Sequence, residues 1–119
     1  MWFSLMLLLN TCPIIEYVGE VDFDRNSSFY SDENKSQLES ILMKLKSGKL
    51  KQVVLNAEYV LNGESDLLKY SHWLAERRAE RVKSSINSEV EGPSYIIKYL
   101  KYANLGRRVT VDAVFECDK

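Results

Sequence analysis

Hydrophobic and polar positions alternate over residues 17–24 (YVGEVDFD), with Val21 and Phe23 on one face and Asp22 and Asp24 on the other. That period of two predicts a half-buried strand. After a polar stretch over residues 25–30 the period changes, and Leu38, Ile41, Leu42 and Leu45 recur at the spacing of one helical face. Ser31 supplies an N-cap, Asp32 and Glu33 sit in the first turn, Lys44 and Lys46 in the last, and Gly48 stops the helix. Residues 52–59 (QVVLNAEY) read as a second strand, rich enough in Val and Leu to be central. Asn62-Gly63 marks a turn. A second helix is predicted from about residue 66 to residue 87. Its buried stripe is Leu67, Tyr70, Leu74, Ala75, Val82 and Ile86, and Glu76, Arg77, Glu80, Arg81 and Lys83 make a solvated face. Glu91-Gly92-Pro93 breaks that helix, a third strand follows over residues 95–102, and a last one over residues 109–117. The short Asn104-Leu105-Gly106 connection predicts a hairpin between these last two strands, with Arg107 and Arg108 closing it.

With 119 residues, 45% of them hydrophobic, the chain suits one domain with a single core. Sixteen basic against 17 acidic residues leave a net charge of −1, so no overall field draws nucleic acid. One histidine and two cysteines exclude a self-contained zinc finger. His72 has no Ser or Cys motif beside it. Asp22 and Asp24, on one strand face, suit a turn-stabilising role better than paired acid–base catalysis. With no nucleophile–base pair, phosphate loop or metal cluster, neither an enzyme nor a cofactor is expected.

Residues 1–9 (MWFSLMLLL) are apolar but too few to span a bilayer. They resemble the apolar core of a secretory signal, although no Lys or Arg precedes them. Two readings stay open for residues 1–12: a signal or lipoprotein-type segment, or a buried N-terminal strand. Leu9-Asn10-Thr11-Cys12 loosely resembles a lipoprotein cleavage box, with Thr11 where a very small residue is usual, which would put a lipid anchor on Cys12. In an exported, unlipidated chain Cys12 and Cys117 can instead pair, closing a loop worth roughly 4 kcal/mol in the chain-entropy model. Two unrelated thiols are the other alternative.

Three segments carry a family resemblance, in order and over residues 17–117: Val21-Asp22-Phe23-Asp24 leading to Ser31 and a helix, Leu74-Ala75-Glu76-Arg77-Arg78-Ala79-Glu80-Arg81-Val82, and Asn104-Leu105-Gly106-Arg107-Arg108-Val109-Thr110-Val111. Together they resemble the OmpA-like domain, the C-terminal module of outer membrane protein A, also found in peptidoglycan-associated lipoproteins and flagellar stator proteins. The resemblance implies an α/β (α+β) two-layer sandwich, ordered strand-helix-strand-helix-strand-strand, with two helices on one face of a mixed sheet. It also implies a bacterial envelope location, periplasm or outer membrane, and non-covalent binding of the peptidoglycan stem peptide through its diaminopimelate residue.

In that family an Asp at the end of the second strand takes the ligand's ammonium group. The Arg of the Arg-Ala motif takes its carboxylate, which a planar guanidinium can grip with two hydrogen bonds. An Asn and backbone amides near a helix start complete the pocket. Carried over, the Arg falls on Arg78, the Asp on Tyr59 with Glu58 one residue before it, and the Asn on Ser71. A carboxylate one residue out of phase points to the other face of a strand, so Glu58 replaces the Asp only where the strand ends or bulges. The long loop usual between the last two strands is nearly absent. Two expectations follow. The first is a peptidoglycan-binding domain in which Arg78, Glu58, Tyr59 and Ser71 line the ligand site. The second is an OmpA-like domain without that ligand, contacting another envelope protein through Tyr59, the 61–64 segment and the charged helix face.

Overall fold

The computed structural model describes residues 13–60, 65–102 and 106–117. The elements follow the expected order: β1 (Ile14–Asp22), α1 (Asp32–Leu45), β2 (Lys49–Val60), α2 (Ser65–Glu89), β3 (Ser94–Tyr102) and β4 (Arg108–Glu116). The four strands form one mixed sheet in the order β1-β4-β2-β3, with β2 and β3 parallel and the other pairs antiparallel. Val53, Leu55 and Ala57 of β2 and Val109, Val111 and Ala113 of β4 are fully buried and share one core with Ile41 and Leu45 of α1 and Ala75, Ala79, Val82 and Ile86 of α2. Both helices therefore cover the same sheet face, as a two-layer sandwich requires.

The predicted β3–β4 hairpin is not formed. β4 lies between β1 and β2, and β3 is an edge strand paired to β2 from Gln52↔Ser94 to Val60↔Tyr102. The reason is the β2–α2–β3 crossover, which lays β3 parallel to β2 and leaves the other side of β2 free for β4. From β3 the chain needs to cross only one strand, about 9.6 Å at the usual spacing, so a connection short enough for a hairpin also suffices here. Arg108 accordingly closes no hairpin; it starts β4 opposite Asp22 of β1.

Local chemistry fixes the β1–α1 end. The Ser31 hydroxyl accepts from the Asn34 amide and the Asn34 side-chain oxygen accepts from the Ser31 amide, both at 3.1 Å, so Asn34 completes a capping box. Asn34 is fully buried and its side-chain amide also donates to the Asp22 carbonyl at 2.6 Å, tying the helix start to the strand end. In β1 a register shift between Tyr17 and Gly19 turns both Val18 and Val21 into the core, which unbroken alternation would forbid.

The segment over residues 1–12, the 61–64 segment and the Asn104-Leu105 pair lie outside the described residues, and Cys12 with them. No helix among the described residues is long and apolar enough to cross a membrane. Cys117 directly follows β4, and we expect it to be joined to Cys12. Intact-mass analysis should then show no alkylation of the denatured, unreduced chain and two alkyl groups after reduction; two groups without reduction would rule the bond out.

Candidate functional site

Arg78 sits on the inward face of α2, and only 2% of it is exposed. Its Nε donates to the Ser27 carbonyl at 2.8 Å, one terminal nitrogen to the Asp24 carbonyl at 3.1 Å, and the other to the Gly106 carbonyl at 3.3 Å. The Phe23 ring lies 5.6 Å from the guanidinium carbon. One side chain thus clamps the β1–α1 loop and the segment entering β4 onto α2. Burial, and secondarily the neighbouring Arg107, lower its pKa to about 10, so the guanidinium stays protonated at neutral pH. Next along α2, Arg81 donates to the Ser28 carbonyl, and its own carbonyl accepts from the Tyr30 hydroxyl at 3.0 Å. Tyr30 also shares a hydrogen bond with Ser85 and stacks on Phe23 at 5.8 Å. The whole loop is strapped to the helix.

Tyr59 ends the core face of β2, 8% exposed, with its ring edge-on to His72 at 4.7 Å. His72 in turn lies 4.8 Å from Tyr99. The Ser71 hydroxyl accepts from the Val60 amide at 2.7 Å, satisfying the last donor of the strand. Gly106 has φ +57, and a Cβ there would meet the Tyr59 carbonyl carbon at 2.8 Å and the Val60 nitrogen at 2.9 Å. The chain entering β4 is therefore pressed against the end of β2, beside Ser71 and within reach of Arg78.

Glu58 goes elsewhere. β2 keeps its register with β3 through residue 60, with neither bulge nor end at Glu58, so its side chain points to the sheet face opposite Ala57 and the helices. There it is buried and paired with Arg108 Nε at 3.3 Å. Arg108 also meets Glu20 at 3.5 Å and Asp22 at 3.9 Å. Its pKa is raised, chiefly by Glu58 and then by Glu20. Desolvation first and Glu20 second raise the pKa of Asp22, with Arg108 opposing them. The structure brings Tyr59, Ser71 and Arg78 to one end of the molecule on the helix side and places Glu58 on the opposite sheet face. Cys12 lies outside the described residues. The sequence pattern does not mark Tyr30, Asn34, Gly106 or Arg108 as organising residues of this end. Of these, the Ser31-x-x-Asn34 spacing at a helix start is the one local signal available.

Among the described residues no group of His, Cys, Asp and Glu side chains is arranged to hold a metal ion. An open depression of about 430 Å³ lies on the outer face of α2, lined by Trp73, Glu76, Arg77, Glu80, Arg81 and Ser84.

The element order, the β1-β4-β2-β3 sheet and the two helices on one face define the OmpA-like fold. The chain is similar to the OmpA-like domain of FopA1 from Francisella tularensis, with a TM-score of 0.65 and 17% identity over 92% of this chain and 80% of that one. It is also similar to the cell wall anchor of the T6SS from Pseudomonas aeruginosa, with a TM-score of 0.57 and 18% identity over 97% and 96% of the two chains. No protein-family model matches the sequence, and no curated protein matches it.

Proposed function

We propose that this chain is a bacterial cell-envelope domain that works as a structural or protein-interaction module, without catalysis, the place of a stem-peptide site being taken by internal contacts. The observation that carries this reading is the state of Arg78. Each of its three guanidinium nitrogens is engaged with a backbone carbonyl, and solvent reaches 2% of the residue. To grip a ligand carboxylate it would have to release hydrogen bonds worth roughly 1.5–3 kcal/mol each when a charged donor is involved. The ammonium-binding carboxylate is missing as well, since Tyr59 stands at its position and Glu58 is committed to Arg108 on the other face.

A second reading, peptidoglycan binding, is favoured by the likeness to a cell wall anchor over nearly the whole of both chains and by the Arg-Ala motif at Arg78. It would place the domain in the periplasm or at the outer membrane, held by the diaminopimelate-containing stem peptide, with a lipid anchor on Cys12 only where Cys12 is not paired with Cys117. Co-sedimentation of the full chain with purified sacculi separates the two readings. The module reading expects the protein to stay in the supernatant. Sedimentation with the sacculi would overturn it, and competition by free diaminopimelic acid would then locate the contact at the Arg78 end.

A further inference from the structure

Strand register builds the end of the molecule opposite Arg78. Ile14 of β1 lies opposite Phe115 of β4, and Phe115 opposite Leu50 of β2. Gly48, between α1 and β2, is pressed on the same Phe115 ring, where a Cβ would lie 3.1 Å away. The last turn of α1 is held beside β1 by Lys44, whose Nζ donates to the Val18 carbonyl at 3.1 Å. The start of β1, the last turn of α1, the α1–β2 connection and the end of β4 therefore share one surface. Leu50 marks this end of β2 and Tyr59 the Arg78 end, about 30 Å apart at the usual rise of a strand.

Exposed apolar side chains collect on that surface. Ile15 is 74% exposed, Met43 71%, Tyr17 56% and Ile14 48%, a grouping that marks a contact site. The chain outside the described residues joins the molecule at the same place. Residues 1–9 (MWFSLMLLL) hold no ionisable side chain, and the chain reaches β1 at Ile14 four residues after Asn10. A segment of that composition is too short to span a bilayer but apolar enough to enter its surface. From this we infer that this end docks on a phospholipid bilayer, with Ile14, Ile15, Tyr17 and Met43 entering the headgroup boundary and the Arg78 end held about 30 Å away. The polar residues around the patch suit that contact. Lys44, Lys46, Lys49 and Lys51 surround it, and lysine stems lie along apolar surface while their ammonium groups reach headgroup phosphates. Tyr17 has a ring with a polar tip, the form that settles at headgroup level. Four carboxylates share this end: Glu89 paired with Lys46, Glu116 opposite Lys49, and the exposed Glu16 and Glu91. The charges therefore balance, and apolar burial supplies the attraction.

Flotation of the full chain with vesicles of phosphatidylethanolamine and phosphatidylglycerol tests this. The parent protein is expected to float with the vesicles. Ile15→Ser and Met43→Ser should each weaken partitioning about tenfold, the loss of one large apolar side chain from the contact. Ile15→Phe keeps the position apolar and should float like the parent. Phe29→Ser is the comparison. Phe29 is 66% exposed but sits in the β1–α1 loop at the Arg78 end, and its loss should leave partitioning unchanged. All four changes fall on exposed side chains, and an unchanged circular-dichroism melt confirms that each variant is folded. A parent that stays with the unbound protein overturns the inference. So do Ile15→Ser and Met43→Ser variants that float like the parent, since binding would then belong to residues 1–9 alone. An equal loss in Phe29→Ser also overturns it. The inference depends on neither reading of the Arg78 end. Purified sacculi carry no bilayer and the vesicles no peptidoglycan, so either can fail alone.

Discussion

Arg78→Ala is expected to lower the stability of the domain by about 4 kcal/mol, drawing together the range for charge-assisted hydrogen bonds and for buried acceptors left unpaired. The substitution removes three hydrogen bonds at once. Two of the orphaned carbonyls belong to the β1–α1 loop and the third to Gly106, so two chain segments lose their tether to α2. The loss is smaller than the sum of three bonds because the guanidinium is itself costly to bury, as its lowered pKa reflects. At about 4 °C per kcal/mol for a domain of this size, the midpoint should fall by roughly 16 °C. Arg78→Lys keeps the charge but not the fork, reaches fewer of the carbonyls, and should recover about half of the loss. Arg81→Ala serves as the comparison. Arg81 is half-exposed and donates to one loop carbonyl, and its loss should cost about 1 kcal/mol. Urea and thermal melts followed by far-ultraviolet circular dichroism measure all three. An Arg78→Ala midpoint within a few degrees of the parent would mean that the clamp is incidental and that Arg78 is free to serve a ligand.

Much of the fold is legible because it rests on periodicity. Of the predicted α2 stripe, Leu74, Ala75, Val82 and Ile86 are buried as their spacing predicts, whereas Tyr70 is 43% exposed and stacks on Trp73 instead; Ser31 caps α1 where the sequence places it. Helix and strand existence follow from which faces are apolar, and that information is local. Strand pairing is not local. A short connection between two strands reads as a hairpin, yet the same length spans one intervening strand, and only the parallel β2–α2–β3 crossover reveals that β4 must fill the gap beside β2.

The site is legible in position and misleading in chemistry. Arg78 lies on the inward line of α2 and so needs a partner, and the sequence offers a ligand carboxylate as readily as a carbonyl. Backbone carbonyls are invisible to motif reading, since every residue has one. For Glu58 the phase of the strand decides the outcome. Everything turns on whether β2 bulges at its end, and the unbroken register there puts the carboxylate beside Arg108. The outer stripe on α2 reads as a solvated face because its charges balance.

Gly106→Ala should cost about 3 kcal/mol, the sum of two separable effects. At φ +57 any L side chain pays the left-handed penalty of about 1–2 kcal/mol. The added methyl would also stand 2.8 Å from the Tyr59 carbonyl carbon and 2.9 Å from the Val60 nitrogen. Both are atoms of a paired strand that cannot rotate aside, so a strain of about 1–3 kcal/mol is added. Gly92→Ala isolates the first effect. Gly92 also has positive φ, at +99, but nothing lies within 4 Å of the place a methyl would take there, so about 1 kcal/mol is expected. Equal losses at the two glycines would show that the segment entering β4 does not press on the end of β2. Because the Gly106 carbonyl is also an Arg78 acceptor, Gly106→Ala and Arg78→Ala disrupt one shared closure. The double variant should therefore lose less than the two single losses added together. Strict additivity would instead separate the glycine contact from the arginine clamp, and with it remove the reason for regarding this end of the molecule as sealed against a ligand.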